Sequence, residues 1–184
     1  MFKQGFSLVF VRDVTPRELL IRFGCTEASL QWLTSSDTQE LELEDGDEGE
    51  GAVIMAGACG EWSFALQHWG ARILEEGVIE QIAAGTDMVA LISTATAPAF
   101  IHVHDGHEVC GFDPGLPHLR SGADPDRYLD RMAQAGLPTD GTAVPGDPVM
   151  AMLRFTETAF GFSLSQPLLM EEEQLTGRVP DDSA

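Results

Sequence analysis

Positive charge is what this chain has least of. It carries 10 Lys and Arg residues against 30 Asp and Glu, a formal net charge of -20. So acidic a molecule repels phosphate and anionic lipid, which argues against direct contact with nucleic acid or a membrane surface. A basic protein partner stays open. Cysteine is scarce too. Cys25, Cys59 and Cys110 are odd in number and follow no metal or redox spacing, which argues against a disulfide framework and for a reducing compartment. The apolar run at the start ends at Val11, too short for a bilayer and without a small-residue cleavage site. The expected location is therefore the cytoplasm. Catalytic signatures are missing as well. Gly57-Ala58-Cys59-Gly60 has neither the length nor the lysine of a phosphate loop. Ser163 lacks the second glycine of a nucleophile elbow. No internal repeat is visible, no catalytic residue is assigned and no cofactor is expected.

What is there reads as a fold. The length of 184 residues suits one domain. From Gly60 to Gly70 apolar and polar residues alternate. Trp62, Phe64 and Leu66 share one face, and Glu61, Ser63 and Gln67 the other, the period of a half-buried strand. Similar signals predict strands at 6–11, 52–59, 88–93, 99–104 and 107–112. The last two are joined by Asp105-Gly106, a strong hairpin dipeptide. Thr15-Pro16-Arg17-Glu18 announces a helix ending at Gly24, and Asp147-Pro148 announces another ending at Gly161. Further helices are expected at 76–84, from Asp124-Pro125 to Gly136, and briefly near 166–175. Leu30, Trp32 and Leu33 suggest a short packed turn. The predicted class is α+β, with a mixed or mostly antiparallel sheet of about six strands and helices packed mainly on one face. One domain is expected over 1–175. It includes an acidic mobile loop at about 34–51, and a disordered tail follows at 176–184.

Glu61-Trp62, Phe64-Ala65-Leu66, Ala84-Gly85, Asp105-Gly106, Phe112-Asp113-Pro114 and Asp124-Pro125-Asp126 recur in an order that resembles an uncharacterised family of small actinobacterial proteins. Thr15-Pro16-Arg17-Glu18-Leu19 after the first strand is also similar. The resemblance covers roughly residues 5–165, by these motifs. Gln67, where an acidic residue is expected, departs from the pattern. The family is a domain of unknown function, so the resemblance implies no catalytic residue.

Two groups of residues suggest function. The first is the acid of the 34–51 segment: Asp37, Glu40, Glu42, Glu44, Asp45, Asp47, Glu48 and Glu50. Together with Glu171-Glu172-Glu173 it would meet a basic surface by charge complementarity. The leading reading is a non-enzymatic protein-interaction module, immunity-like or regulatory, that binds a more basic protein. The second group is His102, His104 and His107. A two-residue turn at Asp105-Gly106 sets His104 opposite His107, and His102 shares their face, so three imidazoles would converge as in a zinc or copper site. In that register Cys110 pairs near Ile101 and points away. A metal-binding protein or metalloenzyme is the alternative. A small-ligand pocket lined by Trp62, His68 and Trp69 is a third reading.

Overall fold

A computed structural model describes residues 5–45, 51–94, 98–162, 168 and 171–180. Its frame is one sheet of nine strands, all paired antiparallel, in the order β2-β9-β3-β4-β1-β5-β6-β7-β8. The strands are β1 (Phe6–Arg12), β2 (Gln31–Leu33), β3 (Ala52–Cys59), β4 (Trp62–Gln67), β5 (Asp87–Ser93), β6 (Ala99–His104), β7 (His107–Phe112), β8 (Arg120–Ser121) and β9 (Gln174–Val179). The α-helices whose ends lie among the described residues are α1 (Pro16–Arg22), α2 (Ser35–Asp45), α3 (Val78–Ile82), α4 (Leu129–Ala135) and α5 (Pro148–Phe160).

The expectation of about six strands with helices on one face is therefore corrected twice. Three strands were missing from it. β2 is only three residues long, β8 only two, and β9 lies where a helix and a tail were expected. Pairing with neighbours makes these strands, not their own pattern. β9 sits between β2 and β3 and bonds to both. The second correction concerns the helices, which cover both faces. Phe6, Leu8, Phe10, Phe64 and Leu66 point to the side where α4 and α5 supply Met132, Met152 and Phe155. Val9, Val11, Ala65, Ala90 and Ile92 point to the side where α1 and α3 supply Leu19, Leu20, Val78 and Ile82. Central strands are thus apolar at successive positions, as doubly covered strands are. The half-buried reading of β4 misses this: Ser63 is buried, and its hydroxyl donates to the Val14 carbonyl.

Local chemistry explains the helices that were expected. Thr15 accepts a hydrogen bond from the Glu18 amide at 3.2 Å, with Pro16 in the first turn. Asp147 accepts from the Val149 amide at 2.9 Å, and Gly161 (φ 73°) closes α5 in the left-handed conformation. Asp105 and Gly106 take φ of 47° and 76°, the two positive values a tight hairpin turn requires.

The segment expected as a mobile loop from residue 34 contains α2. Thr34 and Asp37 cap it reciprocally: the Thr34 amide donates to Asp37 Oδ2 at 3.1 Å, and the Asp37 amide donates to Thr34 Oγ1 at 3.3 Å. The Thr34 hydroxyl and amide hold the Asp37 carboxyl below the usual carboxylate range. Asp47, Glu48 and Glu50 lie outside the described residues.

Candidate functional site

The histidines of the β6–β7 hairpin organise a small cleft of about 260 Å³, lined by Asp87, His102, His104, Val109 and Arg127. β5 and β6 pair so that Asp87 stands beside His104, and Val89 beside His102. Asp87 is the hub. Its Oδ1 lies 2.9 Å from His104 Nδ1 and 3.4 Å from His102 Nε2. On the other side of the His102 ring, Tyr128 Oη lies 2.9 Å from Nδ1. Tyr128 donates to Nδ1, and Nε2–H then faces the carboxylate, so the tautomer of His102 follows from its neighbours. Burial pushes the Tyr128 hydroxyl up to about 12, which keeps it a donor. Burial also lowers the proton affinity of His102, and Asp87 opposes this only in part. Asp87 itself loses solvation, but its hydrogen bonds and charge interactions with His104 and His102 win and hold it below the usual range.

His107 stays out of this network. It pairs with His104 along the strands, yet the His104 ring bonds to Asp87 on the opposite neighbour, and His107 is exposed. Both nitrogens of His102 are engaged. Among the described residues no group of three or more His, Cys, Asp and Glu side chains is placed to hold a metal ion. The register also differs from the expected one. A bulge between His102 and Val103 sets Cys110 opposite His102, not Ile101, and Cys110 packs in the core on that face. Burial raises the Cys110 thiol to about 11 and the Cys25 thiol to about 12, so neither is a ready nucleophile.

One prediction follows from this network. The folded state resists protonating His102, while the unfolded chain takes up the proton near 6.5. Its contribution is present above that pH and is lost as pH falls through the lower folded value. Asp87, also lowered, acts with the same sign from 3.8 downward. The urea midpoint should therefore decline as pH drops below about 6.5, and His102→Gln should flatten that first decline. An identical pH dependence in the variant would contradict the assignment.

A second polar cluster lies under α2. Ser35, Thr38 and Glu42 recur at i, i+3 and i+7 on its inner face, over β3 and β9. Glu42 Oε1 accepts from the His68 amide at 3.4 Å, and Oε2 lies 3.3 Å from His68 Nδ1. That approach is not aligned as a hydrogen bond, so Glu42 Oε2 and His68 Nδ1 lack a hydrogen-bond partner among the described residues. His68 Nε2 lies 3.3 Å from Ser35 Oγ, which accepts from Gln39 Nε2 at 3.1 Å. The order serine, histidine, carboxylate resembles a hydrolytic triad. Ser35, however, is fully buried, so no substrate reaches it, and the cluster anchors the helix. Nor do Trp62, His68 and Trp69 line one pocket. Trp62 begins β4 and packs on Phe160 and Phe162, whereas His68 follows the other end of the strand.

Over residues 1–184 the sequence matches the family described as "Family of unknown function (DUF6461)". The chain belongs to that family. No curated protein and no solved structure matches this DUF6461 chain.

The acidic residues singled out from the sequence separate on this DUF6461 fold. Asp37 and Glu40 are exposed on α2, while Glu42 turns inward to His68. Glu44 and Asp45 fall in the last turn of α2. Glu171, Glu172 and Glu173 are exposed just before β9. Sequence reasoning missed the roles of Asp87 and Tyr128. Only the alternation of β5 and β6, with Asp87 and the two histidines at one end, hinted at the first.

Proposed function

We propose that this DUF6461 chain is a protein-interaction module that binds a basic polypeptide at the β2–α2 edge of its sheet. The carrying observation is Trp32. It is 64 % exposed on β2, the outermost strand, directly ahead of the acidic helix. Trp32 pairs with Leu175 and so faces the side of the sheet opposite α2, where it offers a cation a ring face, while Asp37 and Glu40 add counter-charge along the same edge. Ser36, Glu40 and Leu43 form the outer row of α2, and Leu43 is 66 % exposed. One side of β2 pairs with β9, and no strand among the described residues occupies the other. Charge complementarity selects a basic partner: Arg12, Arg17, Arg22, Arg72, Arg120 and Arg127 each pair with a carboxylate of the chain itself. The alternative of a metal site on His102, His104 and His107 has less support, because His107 stands apart from the other two.

Deleting the whole acidic segment is a poor test, because the inner face of α2 packs on the sheet. Point changes on the outside avoid that. Affinity capture from native lysate, at low and high salt, should compare wild type with a Trp32→Ala, Asp37→Asn, Glu40→Gln variant. A basic protein held by wild type, released at high salt and missing from the variant is the expected result. Identical captured proteins for wild type and variant would sink the reading.

A further inference from the structure

The cleft at Asp87 has chemistry that an interaction module does not use. Four ring nitrogens meet there. His102 Nδ1 faces Tyr128, and His102 Nε2 and His104 Nδ1 both face Asp87. His104 Nε2 is the fourth. It makes no hydrogen bond or ion pair among the described residues, and the His104 side chain is 64 % exposed at the cleft. A carboxylate on one nitrogen fixes the tautomer and leaves the other as a proton acceptor, the arrangement of an oriented general base. Asp87 is itself held from two sides, and His102 is buried against Tyr128 and Phe160, so the base has a rigid backing.

The rest of the lining narrows the reaction. Among the described residues no serine, threonine or cysteine lines the cleft, so the nucleophile is water. Arg127 supplies a guanidinium at the wall, where its contact with Asp124 is long (3.6 Å) and exposed and its other neighbour is the uncharged Tyr128 hydroxyl. Such a pair holds weakly and leaves Arg127 available to an oxyanion. Val109, the residue skipped by the bulge, adds an apolar patch. The volume suits only a small molecule. A phosphate ester, with more than one negative charge, fits poorly beside Asp87 and Asp124 in a chain of net charge -20. A carboxylic ester bearing one carboxylate fits better.

We propose that Asp87, His104 and Arg127 form an acid–base site that hydrolyses small, singly anionic carboxylic esters. Water attacks the acyl carbon and gives its proton to His104 Nε2. Arg127 binds the carboxylate of the ester, and its charge also offsets the tetrahedral oxyanion. Its collapse breaks the bond to the leaving alkoxide, which takes the proton back from His104. An acid and an alcohol leave, and the imidazole is neutral again. His104 is the catalytic residue, and Asp87 is a positioning residue.

The test follows turnover of mono-4-nitrophenyl succinate, with uncharged 4-nitrophenyl acetate as the comparison. The exposed His104→Gln change should lower kcat/KM roughly 100-fold or more, while His107→Gln, an equally surface-placed imidazole, should leave it unchanged. Asp87→Asn should lower kcat roughly 10-fold at unaltered KM, with partial recovery in Asp87→Glu. Arg127→Gln should raise KM for the anionic ester roughly 10-fold and erase the preference over the acetate. Equal losses in the His104 and His107 variants, or no loss in either, would overturn the proposal. So would a rate for Asp87→Asn equal to that of wild type.

Discussion

Phe100→Ala should cost about 3–5 kcal/mol of stability. Phe100 is fully buried on β6. Its ring stacks on Phe112 at 4.9 Å and meets the edge of Phe155 at 5.0 Å. Tyr128 and Phe160 close the other sides at 6.3 and 6.2 Å. Truncation removes the transfer free energy of the ring and opens a cavity between the sheet and α5, where rigid aromatics relax little. The effect reaches the cleft as well, since Tyr128 and Phe160 also hold His102. Urea unfolding followed by circular dichroism measures the loss, and Leu119→Ala, at a site 62 % exposed, supplies a control expected within about 0.5 kcal/mol. A loss below about 1.5 kcal/mol for Phe100→Ala would mean that this cluster collapses around the gap.

Phe100 also shows what pattern makes legible. Strands rich in Phe, Val and Ile announce themselves, and the segments predicted at 6–11, 52–59, 61–68, 88–93, 99–104 and 107–112 each contain a strand. β2, β8 and β9 carry no such period. Gln174 and Leu175 read as the end of a short helix and Thr176, Gly177, Arg178 and Val179 as tail, because the inward positions are polar: Gln174 bonds the Leu168 carbonyl and Thr176 meets Thr38 of α2. The same inward polarity hid α2 itself. A helix is found by its apolar stripe, and this one presents Ser35, Thr38 and Glu42 to the sheet instead. Its one legible sign was Thr34-Ser35-Ser36-Asp37, the spacing of a capping box with aspartate in place of glutamate.

The candidate site was half legible for a related reason. Sequence spacing correctly put His102 and His104 on one face, since they lie two apart on a strand. It could not show Asp87, fifteen residues before His102 in the chain and brought alongside by the pairing of β5 with β6. Nor could it show the bulge after His102, which moves Cys110 by one position and so onto the other face. Long-range partners choose which nitrogen of an imidazole is free, and that choice separates an acid–base reading from a metal reading here.

Glu42→Ala should cost about 3 kcal/mol, far more than loss of any outward-facing acid on α2. The Glu42 and His68 side chains are 6 % and 7 % exposed. Removing the carboxylate strips the His68 amide of its acceptor and takes away the group nearest the buried Nδ1 of the ring. Those groups are then buried and unpaired, which is the costly half of breaking a buried pair. Replacing both partners with apolar groups of similar size should be nearly neutral by the same reasoning. A double variant, Glu42→Met with His68→Leu, should thus recover most of what Glu42→Ala loses. Glu40→Ala, one turn face away and exposed, should change stability by less than about 0.5 kcal/mol. Urea midpoints of the three variants decide the matter. If Glu42→Ala and Glu40→Ala cost the same, the buried pair contributes nothing to holding α2 on the sheet, and that helix is docked by its serine and threonine contacts alone.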